Sequence, residues 1–234
     1  MCDAENITLF KAFSENLEVL KKAKKQLKKD LNSFLKKDNI ISLRYYTFFY
    51  ALMYSALMEA SFKKLIFTPY GLSNNEIEQI ISVSKTNISQ AWIVCLEIAL
   101  PKVYGPKNVS FLPNAKKRLK KLIDQNITKP YEIRNKIAHG QWSWATNKYL
   151  SKVNNETSRK LQSIDYIEVD KWFETCDLIS HIMEMLIVSP KKGFTNNYWR
   201  TVSDIENKIY EMSSWTMEKK KEKMKSKQKS NGGF

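Results

Sequence analysis

The chain has 234 residues, enough for one domain of ordinary size or one domain with an appendage. Its 43% hydrophobic and 12% aromatic content supports a packed core and excludes general disorder, and six glycines with six prolines argue against an all-β protein. A formal net charge of +15 predicts a surface that attracts polyanions, either nucleic acid or acidic membrane, without choosing between them.

The opening MCDAENITLF lacks the basic and apolar regions of a signal peptide. The most apolar window, Tyr45 to Met58, is too short to span a bilayer and ends at Glu59, so a cytoplasmic protein without stable membrane insertion is expected. Cys2, Cys95 and Cys176 are widely spaced with no histidine cluster nearby, and they read as buried or incidental thiols of a reducing compartment.

Apolar residues recur at three- and four-residue intervals from Phe10 through Phe13, Leu17, Leu20, Leu27, Leu31 and Phe34, predicting a long amphipathic helix with lysines on its other faces. Asp38 and Asn39 mark a turn. Ile40 to Phe67 is apolar on most faces, as a central bundle helix would be, and Pro69 and Gly71 stop it. Glu59 lies within this segment and needs a partner, either Lys63 one turn on or a cation from a neighbouring helix.

Ser73 and Glu76 form a capping-box pattern for a short helix, and a second helix is predicted from Asn87 to Leu100. Pro101, Gly105, Pro106 and Pro113 mark an irregular loop before a basic helix, Ala115 to Gln125, carrying Lys116, Lys117, Arg118, Lys120 and Lys121. Residues 69–128 therefore read as an insertion whose basic cluster could grip phosphates or form a solvated face.

Pro130 and Tyr131 then open a predicted helix carrying Arg134-Asn135-Lys136-Ile137-Ala138-His139-Gly140, with Gly140 as its C-cap glycine. Ile133 and Ile137 should face a core, and Asn135 is spaced to orient the His139 imidazole. Arg134 stands about 140° around the helix from His139, so a second copy of the motif would ease their convergence. Trp142, Trp144 and Tyr149 follow, either stacking on unpaired bases or sealing a core edge. A polar connection, Asn147 to Ser163, precedes a helix from Glu168 to Val188, in which His181 reads as a packing residue. A last helix runs from Asn196 past Trp215, and residues 215–234 lose periodicity as a basic tail expected to be frayed or disordered.

The stretch RNKIAHG resembles the motif of the HEPN superfamily, small helical domains that are often metal-independent ribonucleases. The resemblance rests on residues 131 to 142. It implies an all-α, HEPN-like bundle over residues 1–214, with a helical insertion and a C-terminal helix. It also implies that Arg134 binds phosphate, that His139 transfers protons and that Asn135 orients the site, while Glu59, read from its own segment, would join them by holding Arg134 or polarising His139. Lys136, Lys116, Lys117, Arg118, Lys120 and Trp142 would contact RNA.

The sequence holds no His-Glu-x-x-His, no Cys-x-x-Cys, no Walker-type loop and no GxSxG elbow, so neither metal nor cofactor is expected. RNA carries its own nucleophile in the 2′-hydroxyl, and histidine and arginine suffice for proton transfer and charge stabilisation. The expectation is a homodimeric endoribonuclease with a composite site, similar to HEPN toxins and anti-phage effectors, with an antitoxin as a further partner. The alternative is a noncatalytic HEPN module that binds RNA, nucleotide or a partner protein. A membrane-surface helical protein would account for the lysines and leave the motif unexplained.

Overall fold

The structure is a computed structural model that describes residues 3–103 and 111–231. Cys2, the loop positions Gly105 and Pro106, and residues 232–234 of the tail lie outside the described residues. The fold is all-α. Its helices are α1 (Asp3–Lys36), α2 (Ile40–Ile66), α3 (Asn74–Ser84), α4 (Ile88–Ala99), α5 (Phe111–Ile123), α6 (Lys129–Ala138), α7 (Asn155–Ser163), α8 (Tyr166–Val188), α9 (Thr195–Ser213) and α10 (Met217–Asn231). A lone antiparallel bridge, Thr146 to Val153, ties the loop after α6 to itself.

α2 is apolar on most faces because it is surrounded. It packs against α1, α4, α6 and α8, and it buries Tyr50, Tyr54, Met58 and Phe62 completely. Tyr50 stacks on Phe173 with centroids 4.6 Å apart, and Tyr54 meets Phe173 edge-on at 5.4 Å, so α2 and α8 form the aromatic centre of the core. Burial of a side chain of this size contributes about 1.5–3 kcal/mol. α1 lays Leu17, Leu31 and Leu35 on this centre, Lys24 and Lys28 turn in towards α8, and Lys21, Lys22, Lys25 and Lys29 face solvent.

Helix starts follow local chemistry. The Asn39 side chain accepts the Ser42 N–H at 3.0 Å, Glu76 accepts the Ser73 N–H at 2.7 Å in the expected capping box, and Asp165 accepts the Glu168 N–H at 2.8 Å. Each such cap is worth about 1 kcal/mol.

Four expectations about elements are corrected. The Asn147–Ser163 connection contains α7, capped by Asn154 and anchored by Leu161 and Ser158. His181 faces solvent instead of the core. Trp215 lies beyond the end of α9, at the corner where α10 begins. The tail is helical over Met217–Asn231, with Lys221 paired to Asp38 and with Met217 and Met224 packed against the core.

Pro130 falls in the first turn of α6, the helix start read from the sequence, and what the sequence does not show is the element before it. α5 runs into α6 through a π-helical turn, Asp124–Thr128. Pro130 has no N–H to offer the Asn126 carbonyl four residues earlier, and its ring would press on that carbonyl in a regular α-helix. The wider turn accommodates the ring, the Lys129 N–H reaches back to the Asp124 carbonyl, and the Tyr54 hydroxyl of α2 donates to the Asn126 carbonyl at 3.4 Å. One proline thereby accounts for both the π turn and its tether to α2.

Candidate functional site

α6 ends as its sequence predicts. Gly140 takes φ +74°, the Gln141 N–H donates to the Lys136 carbonyl at 2.9 Å and the Gly140 N–H to the Ile137 carbonyl at 3.1 Å. This pair of bonds is a Schellman closure, which fixes His139 as the C-cap residue. Ile137 is 1% exposed and anchors the helix, Ile133 is half-buried against the core, and His139 projects into solvent.

His139 and Asn135 line an open groove of about 1270 Å³ between α6, α7 and the start of α8. Lys129 and Lys136 of α6, Lys148 of the loop, Lys160 of α7 and Lys171 of α8 all border it, against Glu132, Asp165 and Glu168. The rim is therefore net positive and suited to a phosphate backbone. Apart from Lys129 and Lys136, which share α6, these lysines come from separate elements, so no local spacing groups them.

Arg134 does not line that groove. Its guanidinium lies towards α2, with Nη2 3.9 Å from a Glu59 carboxylate oxygen, Nη1 donating to Asn135 Oδ1 at 2.8 Å, and its centre 5.2 Å from the Tyr131 ring centroid. Arg134 is thus the partner Glu59 takes among the described residues, in preference to Lys63. Burial, with the Glu59 carboxylate beside it, raises the Tyr131 hydroxyl above its usual range, and Arg134 opposes both. The Arg134 Nε is buried without a hydrogen-bond partner among the described residues. Asn135 differs from expectation, since its side-chain oxygen holds Arg134, and only its backbone carbonyl meets residue 139, accepting the His139 N–H at 3.1 Å.

The other sequence-derived contacts divide into engaged and free. Trp142 donates its indole N–H to the Ile137 carbonyl at 3.0 Å and packs on Phe48 with centroids 4.8 Å apart, so it seals the end of α6. Lys136 donates to the Thr146 carbonyl at 2.8 Å and so pins the loop that borders the groove. Arg118 is bound by both oxygens of Glu206, and Lys116 lies 3.0 Å from Glu97 with Lys120 at 4.0 Å from the same carboxylate. Lys117 is exposed. Neither Lys116, Lys117, Arg118 nor Lys120 borders the His139 groove, although Lys120 lines a smaller cavity that shares Asn87 with it.

Among the described residues no three His, Cys, Asp or Glu side chains gather in a way that could hold a metal ion, and no helix is long and apolar enough to cross a membrane. Cys95 and Cys176 are buried free thiols, each pushed up to about 12 chiefly by burial. They are unreactive as nucleophiles at neutral pH. No protein-family model, no curated protein and no solved structure matches this chain.

Proposed function

We propose that the chain is a metal-independent endoribonuclease of the HEPN kind, acting on cellular RNA as a toxin or anti-phage effector and completed by a second copy. One observation carries the reading: the motif helix α6 presents an accessible His139 in a lysine-bordered groove and a separately braced, partly exposed Arg134. His139 removes the proton from the RNA 2′-hydroxyl, whose oxygen attacks the adjacent phosphorus. The 5′-oxygen leaves with a proton supplied by the second imidazole, giving a 2′,3′-cyclic phosphate and a 5′-hydroxyl. Arg134 neutralises the charge that gathers on the phosphate oxygens. Asn135 and Glu59 hold the guanidinium, and Lys136 fixes the wall of the groove.

Arg134 and His139 occupy different sides of α6 within one chain, so the chemistry requires a partner copy to bring an arginine to each histidine. The same separation favours the noncatalytic alternative, in which the groove binds RNA, nucleotide or an antitoxin protein without turnover.

Purified chain incubated with total RNA distinguishes them. Cleavage should persist in EDTA and stop at a site bearing a 2′-deoxy substitution. His139→Ala should lose roughly 10²–10⁴-fold in rate while still binding RNA. Mixing excess inactive His139→Ala chain with the unmodified chain should suppress activity, because a mixed pair lacks the second imidazole that protonates the leaving 5′-oxygen. Absence of turnover in the unmodified chain, with RNA binding intact, would favour the binding module, and 5′-phosphate products that need a metal would sink the mechanism.

A further inference from the structure

A second basic cavity, of about 610 Å³, lies beneath α10, bordered by α1, α8 and α9 and separate from the motif. Its floor is Asp170, 2% exposed. Both Asp170 oxygens accept from the Lys28 ammonium of α1, at 2.6 and 2.8 Å, and one also accepts the Tyr50 hydroxyl of α2 at 2.9 Å. Lys220 of α10 stands 3.8 Å from the same carboxylate. Two ammoniums thus share one buried carboxylate, and the nearer of them, Lys28, takes both of its oxygens. Burial holds the Lys220 ammonium below its usual range, and although Asp170 opposes this, Lys28 and Lys223 add to it.

The rest of the lining leaves that positive charge uncompensated. Lys208 is paired with Glu211 at 2.9 Å, whereas Lys219 and Lys223, one turn apart on α10, make no ion pair among the described residues. Glu174 is the carboxylate that remains to face Lys219, Lys220 and Lys223. Trp215 and Met224 add apolar surface to the lining. The volume falls in the range of small-molecule sites.

We propose that this cleft binds a soluble anion made of two or three linked phosphates, held by Lys219, Lys220 and Lys223 of α10. Lysines one turn apart have Cβ atoms about 5–6 Å apart, a span that linked phosphates cover and a single orthophosphate does not. Compact ammoniums suit phosphate oxygens as point charges. The bound anion neutralises Lys220 in its half-buried position and so fastens α10 onto α1 and α8. This site stands whether or not the motif cleaves RNA.

Calorimetric titration of the full chain with sodium tripolyphosphate, ATP, adenosine and a short single-stranded RNA tests it. Tripolyphosphate and ATP should bind, adenosine should not, and binding should slow hydrogen exchange along α10. Equal affinity for the two anions assigns inorganic polyphosphate, and tighter ATP assigns a nucleotide with its ring on the apolar surface. Both outcomes support the site. Lys219→Ala with Lys223→Ala should weaken binding by about tenfold or more, since each removes a charge-assisted contact. Lys85→Ala with Lys192→Ala removes the same charge from exposed positions outside the cavity, and it should leave affinity within about twofold because long-range surface charge is screened. Circular dichroism checks that both double variants fold. Failure of either anion to bind, equal loss in the two double variants, or binding of RNA but of neither small anion would overturn the proposal.

Discussion

Arg134 is braced by contacts that are individually weak, and this makes its surroundings separable from the stability of the fold. The Glu59 carboxylate is 3.9 Å away, and the two side chains are 34% and 21% exposed for Glu59 and Arg134. A pair so accessible contributes at most about 1 kcal/mol. Glu59→Gln should therefore lower the melting temperature by no more than a few degrees. If Glu59 aims the guanidinium, the same substitution should lower RNA cleavage by roughly tenfold or more, because small misplacement of a phosphate-binding group is costly. Unchanged turnover would remove Glu59 from the site. The identities of the motif residues are legible in the sequence, as is the Gly140 closure that exposes His139. The direction of Asn135 is not legible, because its amide chooses between an arginine beside it and a histidine one turn on, and tertiary placement of Arg134 decides that choice.

At the scale of elements, periodicity makes α1, α4 and α8 readable and the unbroken apolar and aromatic run makes α2 so. α7 escaped because it buries only Ser158 and Leu161 among mostly polar neighbours. α10 escaped because its attachments are long-range: lysines reach Asp170 and Asp38, and two methionines touch the core. The basic helix α5 shows that charge alone does not tell which cations are already paired. Arg118 is clasped to Glu206 of α9, its Nε donating at 2.7 Å. The hydrogen bond from Arg118 holds the Glu206 carboxyl below its ordinary value, with burial opposing. A lowered folded-state value means that the clasp stabilises the fold above the ordinary glutamate range and is lost as pH falls through the depressed value. Melting temperature should accordingly drop more steeply on acidification in the unmodified chain than in Glu206→Gln, which is less stable near neutrality. Parallel curves across the acid range would show that the clasp contributes nothing.

Over the whole molecule, the excess positive charge is sorted and not evenly spread. One set of lysines borders the His139 groove, another gathers under α10, and others, such as Lys28 and Lys102, are spent on internal carboxylates. Net charge alone foretells an affinity for polyanions. It cannot foretell this division, which depends on how α2 gathers the other helices around it. The aromatic richness of α2 marks it as the centre, but which helix brings which cation to which cavity is decided by interhelical packing.

The π turn between α5 and α6 has a further consequence for the bearing of the motif. An α-helix advances about 100° per residue, so the residue accommodated in that turn sets the azimuth at which α6 departs. Removing Asn126 while keeping everything else would dial α6 round by roughly 100° relative to α5. Ile137 would swing out of the core, Arg134 would leave Glu59, and the Tyr54 hydroxyl would lose its acceptor. Asn126→Ala keeps the count and loses only a side-chain bond to the Leu122 carbonyl. The deletion should depress the melting temperature far more than the substitution and abolish any cleavage, as a paired thermal and RNA assay would read. Similar behaviour of the two variants would mean that α6 takes its heading from the helices it lies against, with the turn merely following.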